Sequence, residues 1–158
     1  MEEKPIITTN WQELSPLLSD CLEQHVDVMI PITGTSMLPL LREGQDRVLL
    51  TATENGILKK GDIALYRRKN SQYVLHRVTA VEEDCYTMLG DNQTKREPGI
   101  EPGQILAVVK GIYRGDEYRP CTHRGYRLYV RLWMALVPVR PLLLRGYRWG
   151  RRIRRGRT

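Results

Sequence analysis

At 158 residues, with 41% hydrophobic and 27% charged side chains, the chain has the size of one domain with its own core, which excludes a wholly disordered protein. Its three cysteines, Cys21, Cys85 and Cys121, are odd in number and widely spaced, so neither a disulfide framework nor a zinc site is indicated and free buried thiols are expected. The net charge of +7 is unevenly divided: residues 118–158 hold twelve arginines and no lysine or acid, which leaves −5 on the first 117 residues.

In chain order, the opening Met1-Glu2-Glu3-Lys4-Pro5 is acidic and lacks the apolar core of a secretory leader. No run of about 18 apolar residues occurs, so no spanning helix is expected. A cytoplasmic or peripheral-membrane protein is the expectation. Leu14, Leu18, Cys21, Leu22 and Val26 recur at three- and four-residue spacing and predict a helix within residues 11–25. Ser15-Pro16 fits its N-cap and first helical position. His25, at its far end, is a titratable group by type, but the ordinary role there is a contact with the helix dipole.

The apolar run Val26 to Ile32 predicts a buried strand over residues 27–33. Gly34 permits a sharp turn after it, and Pro39 keeps a helix from starting. Between them lies Gly34-Thr35-Ser36-Met37-Leu38-Pro39, which puts the Ser36 hydroxyl on a tight, rigid turn at a strand end. Leu40 and Leu41 are expected to pack inward. Turn-then-strand patterns follow at 44–50 and 61–68, with an acid in each, Asp46 and Asp62. Asp46-Arg47 offers a local ion pair. Tyr73 to Val81 predicts a strand carrying His76, joined to its predecessor by the polar loop Lys69 to Gln72. Residues 85–89 make a short strand ending in the Gly90-Asp91-Asn92 turn. Residues 94–103, rich in Pro and Gly, predict a loop, and Ile105 to Tyr113 predicts the last strand, ending in a turn over Arg114 to Glu117. About seven short strands with close turns indicate a mainly β fold: a coiled antiparallel sheet or partial barrel, with a helix at each end. The organisation is an N-terminal helical segment (1–25), a β domain (26–117) and a basic amphipathic extension (118–158).

Four motifs in this order, Gly34 to Pro39, Gly61 to Tyr66, Tyr73 to Val78 and Leu89 to Asn92, together with Gly44 to Val48, resemble those of the signal peptidase I-like serine peptidases. The resemblance spans roughly residues 26–112. It is strongest to the branch, typified by endoplasmic-reticulum and related bacterial signal peptidases, that uses a Ser-His pair. It implies a coiled β-sheet of the signal peptidase I type, no cofactor and no metal, and a serine endopeptidase acting on a peptide or precursor protein. Common bacterial members carry lysine in a Lys-Arg-Val-like strand where this chain reads His76-Arg77-Val78. The resemblance therefore makes Ser36 the nucleophile and His76 its general base, and it makes Asp46 a structural acid. A serine hydroxyl needs such a base within reach, and an imidazole accepts its proton near neutral pH.

By the same resemblance Asp91 is the first choice to orient His76, with Glu97 second, and Asn92 is a turn residue. Gly34, Thr35 and Met37 would line the oxyanion and substrate side. Many relatives place a hydroxyl residue where this chain has Gly34, which leaves the Ser36 N–H as the remaining donor. The substrate implied is an extended segment added as a strand, with small side chains near the scissile bond. The related self-cleaving repressor peptidases use lysine and a DNA-binding domain. About 25 residues precede the first core strand here, too few for a helix-turn-helix, and Lys69 lies in a hairpin loop.

The extension changes character. Tyr126, Leu128, Tyr129, Leu132, Trp133, Leu136 and Val137 fit a helix broken by Pro138 and Pro141, followed by Leu142-Leu143-Leu144 and seven arginines from Arg145 to Arg157. Arginine beside apolar residues suits an anionic membrane surface through residues 126–158. Sparse aromatics and no RNA-binding motif make specific nucleic-acid binding the weaker expectation. Oligomeric state is not encoded legibly.

Overall fold

The computed structural model describes residues 11–146, with side chains from residue 15. The acidic start of the chain and the arginines from Arg148 to Arg157 lie outside the described residues.

Helix α1, Trp11–Glu23, leads into strand β1, Val28–Pro31. Seven strands follow: β2 Asp46–Thr51, β3 Ile63–Arg67, β4 Tyr73–Val81, β5 Tyr86–Leu89, β6 Glu97–Ile100, β7 Ile105–Arg114 and β8 Glu117–Pro120. Helix α2, Arg124–Ala135, comes next, and residues 140–146 are again helical. All eight strands form one antiparallel sheet in the order β1-β2-β7-β3-β4-β5-β6, with β8 added to β7. It does not close, since β1 and β6 each have one neighbour. Strand β7 is the spine. Its residues 108–114 pair β2 on one side, while its other side takes β3 near residues 105–108 and β8 near residues 111–114.

Both faces of the sheet are covered, as alternation along β3 shows. Ile63 and Leu65 point into one cluster with Leu18, Leu22, Ile30, Leu41 and Leu50, whereas Ala64 and Tyr66 point into a second with Val78, Tyr86 and Met88. Leu40 and Leu41 pack inward as expected.

Several boundaries differ from the sequence reading, each for a local reason. α1 does not start at Ser15-Pro16 but runs through Pro16. One missing N–H in an early turn is outweighed by the burial of Leu18 and Leu22, at 1% and 6% exposure. His25 sits past the end of α1 in the left-handed region (φ 57°), where its N–H bonds Leu22 O and the Val26 N–H bonds Cys21 O, a Schellman-type stop. The expected loop 94–103 contains β6, because an edge strand tolerates Pro98 and Gly99. The turn after β7 opens into β8, so the sheet continues past residue 117 into the segment assigned to the extension. The cysteines are free but half-buried rather than buried. Among the described residues no helix is long and apolar enough to cross a membrane.

Leu65, 1% exposed at the centre of the sheet, and Leu128, 57% exposed on α2, make a direct contrast. Leu65→Ala is expected to lower the unfolding free energy by about 2–5 kcal/mol, and Leu128→Ala to change it by less than about 0.5 kcal/mol, in urea denaturation.

Candidate active site

Strand β1 carries the chain to a turn that Gly34 makes possible, with φ at +79° where a side chain would be strained. The turn is fixed from two sides. The Gly34 N–H donates to Glu43 Oε1 at 2.8 Å. On the other side Asn92 clamps it: its N–H donates to Ser36 O at 2.8 Å and its Nδ2 to Thr35 O at 3.1 Å. The approach is so close that a Cβ on Gly90 would lie 2.8 Å from the Ser36 carbonyl oxygen. The Gly90-Asp91-Asn92 turn therefore acts as a cradle for the Ser36 turn.

Ser36 and His76 line one cavity of about 260 Å³, bounded by Ile30 to Thr33 on one side and by Tyr73 to His76 on the other. These walls are strand edges. β1 pairs only β2, and β5 pairs β4 from Arg77 onward, so residues 74–76 have a sheet partner on the β3 side alone. Ser36 is half-buried, and among the described residues neither its Oγ nor its N–H has a hydrogen-bond partner.

His76 is 2% exposed, and burial lowers its pKa to about 4, only partly opposed by the Glu97 charge. Its Nδ1 lies 3.3 Å from Tyr66 Oη and 3.4 Å from Glu97 Oε1. Burial works against ionisation of Glu97, but the Arg68 guanidinium and the Tyr66 hydroxyl override it and hold the carboxyl below its usual range. An ionised carboxylate only accepts, so the proton of the neutral imidazole belongs on Nδ1, which leaves Nε2 as a lone pair. Arg68 in turn donates its Nε to Glu97 Oε2 at 2.8 Å, with a second, very close bond from its terminal nitrogen to Oε1.

Asp91 does not orient His76. Both of its oxygens accept from Arg77, at 2.8 Å from Nε and 2.7 Å from a terminal nitrogen, and both side chains are fully buried. Arg77 follows His76 on β4, so its side chain points to the opposite face. The remaining guanidinium nitrogen donates to Gly61 O at 2.8 Å and reaches Tyr126 Oη at 3.5 Å. Burial opposes the charge on Arg77, but the Asp91 bonds more than restore it. The acid facing His76 is Glu97, the second choice of the sequence reading.

The other site expectations resolve unevenly. The Gly34 N–H is occupied by Glu43, so Gly34 shapes the turn and does not offer a donor. Thr35 is exposed and contributes its carbonyl to the Asn92 clamp. Met37 is 3% exposed and belongs to the core while bordering the cavity. Asp46 pairs with Arg42 and not with Arg47, accepting from its backbone N–H and its guanidinium at 2.8–3.1 Å. Arg47 bonds Gly115 O instead. Lys69 is 82% exposed beside Glu101, outside the cavity. Sequence reasoning missed Tyr66, Arg68 and Glu43, whose roles depend on cross-strand neighbours. It also missed Arg140, which lies in the basic extension yet is 2% exposed, over the Trp133 ring and 3.4 Å from Gly90 O.

No protein-family model, curated protein or solved structure matches this chain.

Removing one member of the buried Arg77–Asp91 pair leaves the other charge uncompensated. Arg77→Met is expected to reduce stability by about 3–5 kcal/mol, with the double change Arg77→Met/Asp91→Leu recovering much of that loss. Denaturant titration of the three chains measures it; equal loss in single and double variants contradicts the pairing.

Proposed function

We propose that the chain is a serine endopeptidase resembling signal peptidase I, with Ser36 as nucleophile and His76 as general base, acting on an extended polypeptide segment. The observation that carries this reading is the shared cavity: a serine on a clamped turn and a neutral histidine border one slot between the edges of β1 and β4. The open antiparallel sheet agrees with the signal peptidase I type of fold that the motifs imply. A peptide entering the slot in extended form would find strand edges at 30–31 and 74–76, and main-chain pairing would align it past Ser36.

In this mechanism Ser36 Oγ attacks the scissile carbonyl carbon while His76 Nε2 takes the hydroxyl proton. The carbonyl oxygen gains the negative charge, stabilised by the unpaired Ser36 N–H. The tetrahedral centre then collapses, the C–N bond breaks, and His76 returns its proton to the leaving amine. Water, deprotonated by the same imidazole, hydrolyses the ester and frees Ser36. Glu97 supports the step in which His76 is charged, since its carboxylate faces Nδ1. The Gly34 N–H is held by Glu43 and is not offered to the oxyanion.

A fluorophosphonate probe is expected to label Ser36 in the native chain, as mass spectrometry of the adduct locates it. Ser36→Ala should abolish labelling, and His76→Ala should slow it by roughly 10²–10⁴-fold. Labelling at another residue, or an undiminished rate in the His76 variant, overturns the assignment.

The base works only when unprotonated, and burial keeps His76 neutral down to about pH 4. The rate of probe labelling, measured against pH, should therefore hold through pH 6.5 and fall only near pH 4. Glu97→Gln removes the charge that partly raises the His76 pKa, so the acid limb should move lower still while the plateau rate drops. A limb near 6.5 in the native chain contradicts the buried-base arrangement.

A further inference from the structure

The C-terminal arm has a second face that the peptidase reading does not use. Its inner side is fastened to the body: Tyr126 meets Arg77, Tyr126 and Tyr129 pack against the first core cluster, and Arg140 reaches the Gly90 carbonyl. Its outer side is apolar where solvent should favour polar residues. Leu128 and Leu132, one turn apart on α2, are 57% and 59% exposed. Leu136 continues the row at 37%, and Leu142 and Leu143, in the next helical stretch, are 71% and 48% exposed. A single exposed leucine needs no explanation, but a continuous row does. Arg124, Arg127 and Arg131, all exposed, run alongside at three- and four-residue spacing, and Arg145 is exposed at the far end. No acid occurs anywhere in residues 118–158.

We propose that this leucine row, bordered by arginines, is a docking surface for an anionic lipid bilayer. The two residue types match the two layers of a membrane surface. Leucines enter the acyl boundary and arginines meet the phosphate headgroups. Charge excludes the other simple occupant, a second copy of this chain, since two such faces would set the exposed Arg124, Arg127, Arg131 and Arg145 of each copy against those of the other with no acid between them. A nucleic acid would satisfy the arginines but gives no use to the exposed leucines. Because Arg140 bonds the turn that cradles Ser36, docking would also fix how the cavity is presented to the membrane. The docking itself is independent of the Ser36 chemistry.

Flotation of the full-length protein with phosphatidylcholine vesicles, with and without phosphatidylglycerol, tests this. The protein should float only with the anionic vesicles, and raised salt should weaken the association. The triple changes Leu128→Gln/Leu132→Gln/Leu142→Gln and Arg124→Gln/Arg127→Gln/Arg131→Gln should each lower partitioning by about tenfold or more. Unchanged circular dichroism and thermal transition would show that both variants keep the fold. Four results overturn the proposal: no flotation of the native chain with anionic vesicles, flotation indifferent to salt, undiminished flotation of either folded variant, or displacement from vesicles by an equal concentration of duplex DNA.

Discussion

The buried pair between Arg77 and Asp91 holds the two halves of the site in register. The guanidinium is anchored in the middle of β4, and the carboxylate belongs to the turn that follows β5. Two charges taken wholly out of water are tolerable only with near-complete hydrogen bonding, and this pair has it: two parallel bonds between the side chains, plus Gly61 and Tyr126 on the remaining nitrogen. The geometry is therefore specified narrowly. Since Asp91 lies between Gly90 and Asn92, which contact the Ser36 carbonyl, the position of the serine turn is set by an ion pair on the far face of the sheet. Since His76 immediately precedes Arg77, the same strand residue pair sets the imidazole. Alternation along one strand thus couples the proposed base to the proposed nucleophile through Arg77, Asp91 and the turn they hold.

The environment of His76 is a balance of opposed effects. Burial favours the neutral ring strongly, and the Glu97 charge pulls the other way. A lysine in the same position would need its pKa lowered by several units to be a free base at neutral pH, whereas an imidazole starts near 6.5 and needs no such shift. The burial at this site is deep enough to leave His76 a weak base, with about 4 as its pKa. Glu97 then matters less for setting the resting charge than for receiving the charge that forms when the ring takes a proton. Arg68 has the complementary role: by holding Glu97 ionised, it keeps an acceptor opposite Nδ1 and so leaves Nε2 as the basic nitrogen. Tyr66, buried in the second core cluster, closes this network from the sheet side.

Much of the fold was legible because it rests on short-range pattern. The apolar runs at 26–32, 63–66 and 105–113 and the turns between them place six of the eight strands close to their observed limits. The two strands missed, β6 and β8, lie at or beside sheet edges, where Glu97-Pro98-Gly99 and Glu117-Tyr118-Arg119-Pro120 have no apolar alternation because they have little to bury. Within the site, Ser36 and His76 were marked by turn chemistry and by a histidine in a strand. The assignment of Asp91 to His76 failed for a physical reason. An acid in a turn after a hairpin can reach either face of the preceding strand, and the nearer, permanently charged partner is Arg77. Nothing in the spacing distinguishes the two faces until strand register is known; the Ala64–His76 and Ile63–Arg77 pairings then decide it.

The same distinction between sequence pattern and folded register explains the C-terminal arm. As a sequence, residues 126–137 read as one apolar helix face, and arginines fill the gaps. In the fold the aromatic members of that set, Tyr126, Tyr129 and Trp133, turn inward, while the leucines at 128, 132 and 136 turn out. Aromatic rings bury more area than leucine, and the Tyr126 hydroxyl also meets Arg77, whereas Tyr129 Oη and Trp133 Nε1 are buried with no hydrogen-bond partner among the described residues. Arg140 completes the inward layer by stacking on Trp133 and bonding Gly90 O, and burial lowers its pKa from the ordinary guanidinium value despite the nearby Asp91 charge. An arginine is drawn under the arm because the clamp at Gly90 to Asn92 offers a carbonyl and an anion close together. The arm is therefore continuous with the cradle of Ser36, and what makes its outer face apolar is that its inner face has already taken the polar-tipped residues.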